Sequence, residues 1–384
     1  MDFMEIEKRT AAYIDDLRRH RRALHRIPEL GDQEFKTHDY IMAQLEALEP
    51  DDLRTFVGTG VRAVFKGNGT GRVVAFRSDI DALPVQEETG RPFASEHPGK
   101  MHACGHDGHM ANLLTFAHYV SDHRAELKDD IVLIFQPSEE TTGGAKRMID
   151  EGALENPHVD VIYGMHVMPD IPKGKIAVCP GPLMAQTCEM DFVIHGRSAH
   201  GATPHLGTDA VSAMAHLLTL MQTTVARCVD PCQQALITIG KVRAGEQRNI
   251  LASTAQMEGI VRTFSNSVYE ALEERIRADI AAVDTAFGTQ TDFIKRVYYP
   301  CVENDPAETA RVMSLLGDRC MQAKPKMTAE DFSYYQLSVP GVFVFCGCMD
   351  EKHTSPLHAC TFDFEEEALL PGLALFAGLV AYED

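Results

Sequence analysis

Nowhere does the sequence contain an apolar run of the length that spans a bilayer. Its acidic start, Met1-Asp2-Phe3-Met4-Glu5, also lacks the basic opening and apolar middle of a secretory signal. Membrane insertion and export are therefore not expected, and the cytoplasm is the expected compartment. Positive charge is short too: 36 Lys and Arg against 56 Asp and Glu leave a formal charge of -20, which opposes attraction to phosphate backbones and anionic membrane surfaces. Nucleic acid is not an expected partner. The ten cysteines are scattered without paired spacing, so reduced thiols are expected rather than a disulfide framework. Internal repeats and low-complexity tracts are absent. What is left is a globular chain of 384 residues, 45% hydrophobic and 24% charged, long enough for two domains.

The densest chemistry lies in Met101-His102-Ala103-Cys104-Gly105-His106-Asp107-Gly108-His109. A thiol and three imidazoles within eight residues form a set of soft and borderline metal ligands, and the two glycines let the backbone turn tightly around an ion. Met110, Leu113, Leu114, Ala117 and Val120 then recur at helical spacing. The cluster thus sits in a loop entering a helix; the alternative is a histidine-rich cap beside a buried thiol.

Several apolar runs of strand length end in polar residues. Arg72 to Phe76 follows a hairpin-like turn marked by Gly67, Gly69 and Gly71, and leads into Asp79-Ile80-Asp81. Ile131 to Phe135 stops at Pro137-Ser138-Glu139-Glu140, Val159 to Met165 delivers His166, and Val342 to Phe345 opens through Cys346-Gly347-Cys348 toward His353 and His358. Interleaved with helices, such strands predict a mainly parallel α/β sheet whose ligands bind beyond its carboxyl edge. The basic run Arg18-Arg19-His20-Arg21-Arg22, in the helical N-terminal stretch, reads as a solvated helix face.

Between residues 185 and 300 the order becomes βαββαβ: strand Cys188 to Ile194, helix Asp209 to Ala226, strands Ala235 to Val242 and Ala255 to Arg262, helix Tyr269 to Phe287, strand Thr291 to Val297. This predicts a ferredoxin-like α+β insert in a discontinuous catalytic domain of residues 1–184 and 301–384. Val211, Met214, Leu217, Leu218 and Met221 give its first helix an apolar face for that sheet.

Taken together, Cys104, His106, Glu140, His166 and His358 offer thiolate, imidazole and carboxylate donors to one cleft, enough for two divalent ions sharing a ligand. Such a pair activates water and polarises a carbonyl, so hydrolysis is the natural use. Glu139, beside Glu140 on a tight turn, is placed to take the water's proton; the alternative for both glutamates is a helix cap. Asp81 suits orienting a ligating histidine without touching the ion. His102 and His109 read as capping or supporting residues, and His353 competes with His358.

These motifs resemble the M20 metallopeptidases, and within them the aminoacylase and hippurate hydrolase branch of amidohydrolases. The resemblance runs nearly end to end through Leu24-His25-Arg26-Ile27-Pro28-Glu29-Leu30, Arg77-Ser78-Asp79-Ile80-Asp81-Ala82-Leu83-Pro84, Met101 to Asp107, Gln136 to Glu140, Gly164-Met165-His166, Gly196-Arg197-Ser198-Ala199-His200-Gly201 and Gly259 to Phe264. It implies the five metal ligands above, Glu139 as general base, and an insert that mediates dimerisation and can act as a lid. It further implies that His200 stabilises the oxyanion, in some members across the dimer, with Asn249 and Arg262 near the substrate carboxylate or carbonyl. The expected reaction is hydrolysis of N-acetyl or N-benzoyl amino acids by a homodimer with two metals per subunit. Deacetylation of N-acetyl-diaminopimelate and dipeptide cleavage are the alternatives, and a metal-dependent binding protein is the alternative of another class. The family's last ligand usually sits in His-Ser-Pro. Here Thr354-Ser355-Pro356 precedes His358, and Phe362-Asp363-Phe364 keeps the frame. A cysteine where the wider family tends to place aspartate favours zinc, with manganese, nickel and cobalt open.

Overall fold

The computed structural model describes residues 3–381. The chain forms two compact units, one of Met1–Leu183, Glu303–Lys324 and Asp331–Asp384, the other of Met184–Val302 and Pro325–Glu330.

In the first unit an eight-stranded sheet runs in the order Asp52–Phe56, Gly60–Phe65, Asp130–Gln136, Val73–Asp79, Val161–Pro172, Gly341–Met349, Ile176–Val178, Cys320–Gln322. Its four middle strands are mutually parallel. That is why they read as continuous apolar runs: Ile131 to Phe135 have no exposed surface, as strands covered on both faces require. Phe76 of one middle strand meets Phe116 of helix His106–Asp122 at 4.7 Å and Phe376 of helix Leu370–Ala381 at 4.8 Å, tying sheet to helices. Truncating Phe76 to Ala should cost about 3–5 kcal/mol.

Several local expectations change. The turn at Gly69 does not close a hairpin, because Gly60–Phe65 and Val73–Asp79 both pair with Asp130–Gln136 and not with each other. Two strands are longer than their apolar cores suggest. Val161–Pro172 continues through His166, and Gly341–Met349 continues through Cys346-Gly347-Cys348, with Phe345 paired to His166. The run Arg18 to Arg22, on helix Ile14–His25, is not a uniformly solvated face: His20 and Arg21 are 0% and 1% exposed. A helix has one buried stripe, and polar residues may occupy it when they find partners.

The second unit is a four-stranded antiparallel sheet in the order Gln290–Tyr299, Gln186–His195, Thr254–Thr263, Ala235–Ala244. Helices Ala210–Cys228 and Asn266–Phe287 share its core, in which Phe192, Leu217, Met257 and Ile276 are fully buried. Asp209 and Ser265 cap the two helices by accepting from the Val211 and Val268 amides, and left-handed Gly288 ends the second. The predicted α/β architecture with its βαββαβ α+β portion is the one found.

Candidate metal centre

The parallel strands bring their following loops to one edge of the sheet. Asp79 ends one strand with Asp81 two residues beyond it, the Ser138-Glu139-Glu140 turn follows the next, and His166 lies within the third. Gly105 starts the helix that carries His106. Its φ of +88°, together with a position where a Cβ would stand 2.5 Å from Val167, requires glycine. His358 is brought in by its own amide, which donates to the Ala103 carbonyl at 2.8 Å, and it too has a left-handed φ of +66°.

Around this edge the donor atoms converge. Cys104 Sγ lies 3.3 Å from His166 Nε2 and 3.3 Å from His358 Nε2. Glu140 Oε1 is 3.3 Å from His358 Nε2 and 3.8 Å from His106 Nε2. Glu139, 8% exposed, offers an oxygen within 4.8 Å of the His106 and Glu140 donor atoms. Cys104, His106 and His166 are buried, whereas the His358 side chain is 53% exposed and marks the open side.

Hydrogen bonds fix which imidazole nitrogens can accept. His106 Nδ1 donates to the Asp81 carbonyl at 2.8 Å and His166 Nδ1 to the Val167 carbonyl at 2.7 Å, so Nε2 is the nitrogen that each ring, when neutral, has left to offer the cluster. His109 is the opposite case. Its Nδ1 donates to Asp79 at 2.7 Å and its Nε2 accepts from the Val167 amide at 2.9 Å, leaving no lone pair for a metal. His353 is held between Asp350 and Arg91, each at 2.8 Å. His102 is buried with neither ring nitrogen hydrogen-bonded, and burial lowers it to about 3.

The electrostatics favour bound positive charge. Burial alone would make His106 less basic, yet the Asp79, Asp81 and Glu140 carboxylates outweigh it and push it up to about 10. Burial likewise opposes ionisation of Asp79, but His106, His109 and Arg77 hold it well below the usual carboxylate range. Cys104 is raised by burial and then by the Glu140 and Glu139 carboxylates. Burial, reinforced by the neighbouring His109, brings His166 down to about 3, which keeps its ring neutral and able to ligate. A cation fits this donor set. Buried His106 Nε2 and Glu140 Oε1 make no hydrogen bond, and two groups of three donors, Cys104-His106-His166 and Cys104-Glu140-His358, share the thiol.

Asp81 acts more broadly than on one histidine. Besides its carbonyl bond to His106, its carboxylate accepts the Glu139 and Glu140 amides, both at 3.0 Å. Asp79, in the sequence a strand-end carboxylate with no role assigned, is held by buried partners of its own. Arg77, with no exposed side-chain surface, bridges Asp79 at 3.0 Å and Asp331 at 2.8 Å, and Gln136 binds both Arg77 and Asp331. A second carboxylate two residues before Asp81 was the available signal. Asp331 had none.

In the second unit His200 and Asn249 are neighbours: residue 200 bridges residue 250, and the Gly201 amide donates to the Asn249 carbonyl at 2.8 Å. His200 Nδ1 accepts from the Ala202 amide at 3.1 Å, so its Nε2 carries the proton, and the ring is exposed. Arg262 stands elsewhere. It pairs with Thr187 near the far end of strand Thr254–Thr263, roughly 27 Å of strand from Thr254. Its buried Nη1 has no hydrogen-bond partner.

A mainly parallel sheet with thiol, imidazole and carboxylate donors at its carboxyl edge, and a further carboxylate beside them, defines a metal-dependent hydrolase. Comparison with known proteins narrows the class. The description of peptidase family M20/M25/M40 matches residues 75–382. An N-acetyldiaminopimelate deacetylase of Leuconostoc mesenteroides is 37% identical over 93% of this chain and 94% of its own. An N-acetylcysteine deacetylase of Bacillus subtilis is 38% identical over 94% of each. Among solved structures, the B. subtilis YXEP protein, a dinuclear metal-binding M20 peptidase, superposes with a TM-score of 0.83 at 36% identity over 97% of this chain and 98% of that one. The chain belongs to peptidase family M20/M25/M40.

Proposed function

We propose that the protein hydrolyses N-acyl amino acids, N-acetyl compounds foremost, with two divalent cations held by Cys104, His106, Glu140, His166 and His358. The supporting observation is the convergence of these donors, with buried His106 Nε2 and Glu140 Oε1 among them making no hydrogen bond. The names of the two deacetylase relatives favour an acetyl over a benzoyl group. The thiol donor favours zinc over manganese.

When bound, divalent cations supply Lewis acidity to the scissile carbonyl and lower the pKa of water toward roughly 7. Glu139 accepts the proton of the attacking water and passes it to the amine nitrogen as the C–N bond breaks, releasing a carboxylic acid and a free amine. His200 donates from Nε2 to the carbonyl oxygen as negative charge develops there. Asn249 and Arg262 engage the substrate carboxylate or carbonyl. Because the His200–Asn249 pair lies beyond the Thr254 end of strand Thr254–Thr263 and Arg262 lies near its other end, a small substrate cannot touch both in a single copy of that unit. This favours a homodimer built through the second unit, with His200 and Asn249 serving the neighbouring chain.

A panel of N-acetyl amino acids including N-acetyl-diaminopimelate and N-acetylcysteine, N-benzoyl amino acids and dipeptides, each with and without EDTA, tests the reading. Amine release from the N-acetyl compounds that chelation abolishes and zinc or manganese restores is the expected result. Turnover indifferent to chelation, or none with any acyl amino acid, overturns it.

A further inference from the structure

The reaction just described gives no task to the segment that follows Ile27-Pro28, although that segment lies against the catalytic turn. Three consecutive amides of the turn, those of Ser138, Glu139 and Glu140, each donate to a carboxylate. Asp81 takes the second and third, and Glu34 takes the first: Ser138 N reaches Glu34 Oε1 at 2.9 Å. Glu34 has no exposed surface, and its other oxygen accepts from Thr59 Oγ1 at 2.9 Å, so both oxygens are committed. Ser138 itself has φ +60°, a left-handed backbone that a residue with a side chain holds only when its surroundings impose it. Asp32, in the same segment, accepts the Ser138 hydroxyl at 2.9 Å. The two loops are in direct contact at Gly31, where a Cβ would stand 2.3 Å from Thr141 Oγ1 and 3.2 Å from Ser138 Cα.

We propose that Glu34 is a positioning residue for the catalytic turn: by accepting the Ser138 amide it holds the left-handed Ser138 backbone, and so aims Glu139 and Glu140. The proposal rests on the reading of Glu139 as base and Glu140 as metal ligand. Without the acceptor, a buried amide is left unsatisfied and the turn can relax toward an extended backbone. A shift of that kind moves both glutamates by a fraction of their reach, enough to disturb proton transfer and one metal position together.

Chelator-stripped protein titrated with zinc in a calorimeter, steady-state rates on the best N-acetyl substrate, and circular dichroism with thermal melting test this. Glu34→Ala should stay folded, lower kcat roughly 10- to 100-fold with little change in KM, and weaken one of two zinc-binding steps by roughly 10- to 100-fold. Glu34→Gln, whose amide oxygen can accept from Ser138 while its NH2 donates to Thr59, should recover most of both losses. A folded Glu34→Ala with wild-type kcat and zinc affinity overturns the proposal, as does a Glu34→Gln no better than Glu34→Ala. Should Glu34→Ala fail to fold, Glu34→Asp, whose shorter side chain keeps the charge but draws the acceptor back from the Ser138 amide, takes its place; wild-type kcat and zinc binding there overturn the proposal, and a fall in both supports it. Glu139→Gln measured alongside separates the two ideas: an active Glu139→Gln sinks the base assignment, whereas an inactive one beside an unimpaired Glu34→Ala sinks only the role of Glu34.

Discussion

The two units of the chain place charge differently. In the first, Arg21, His25, Arg77, Asp79, Asp81 and Asp107 are each no more than 2% exposed, whereas the second has an apolar core and carries pairs such as Lys241–Glu258 and His195–Asp292 at its surface. Buried ion pairs contribute little net stability, because desolvation offsets most of their attraction. Their value in the first unit is positional. Arg21 binds Asp107, the neighbour of His106, and also Asp363 and the Phe364 carbonyl, a few residues beyond His358. One guanidinium thus ties together the chain segments that carry two donors. In the second unit the helices pack on the sheet through a shared apolar core, with polar links such as Thr224 Oγ1 donating to Asp279 at 2.7 Å.

The contrast can be broken first at the level of rate. Glu139→Gln should lower kcat by about 10²- to 10⁴-fold while two zinc ions still bind, and His200→Ala by about 10²- to 10³-fold with zinc binding untouched. If His200→Ala weakens zinc binding, the second unit is part of the metal site and the division of labour fails.

Stability sharpens it next. Arg21→Ala leaves Asp107 and Asp363 without their buried partner and should cost about 3–5 kcal/mol, measured by urea denaturation, and it should weaken metal binding as well. Leu217→Ala in the second unit should cost about 2–5 kcal/mol and leave metal binding as it was. Equal effects of the two substitutions on zinc affinity would erase the distinction.

The smallest expected effect is one of pH. Burial would make His25 less basic, but the Asp107 carboxylate at 2.8 Å outweighs it and raises the group from 6.5 to about 9. A raised folded-state pKa stabilises fully below the unfolded value of 6.5, and that contribution, on the order of 3 kcal/mol, is lost as pH rises through about 9. Thermal melts from pH 6 to 10 should show this loss in the wild type and not in His25→Gln. Parallel profiles would mean that His25 is neutral in the folded protein.

Much of the first unit was legible because its evidence is local. A run such as Ile131 to Phe135, of strand length and closed by Pro137, reads as a buried strand, and the carboxylate pair Glu139-Glu140 then falls just past the strand's end. His358 and His353 were harder to separate, being five residues apart in one loop. In the structure the His358 amide donates to the Ala103 carbonyl, beside Cys104, whereas the His353 ring is held by Asp350 and Arg91. Arg21 was misread because a run of four arginines and a histidine has no periodicity to show which member turns inward.

By itself the sequence determined which donor types were present, which strands carried them, and that those strands would lie side by side and parallel. Tertiary structure alone decided which ring nitrogens of His106 and His166 are taken by carbonyls, that both ring nitrogens of His109 are hydrogen-bonded although it lies among the donor residues, and that Glu34 and Asp81 share three successive amides of one turn. The reason is physical. Periodicity records the burial of a segment along its own axis, but a hydrogen bond between residues 104 apart, such as Ser138 to Glu34, leaves no repeating mark in either segment.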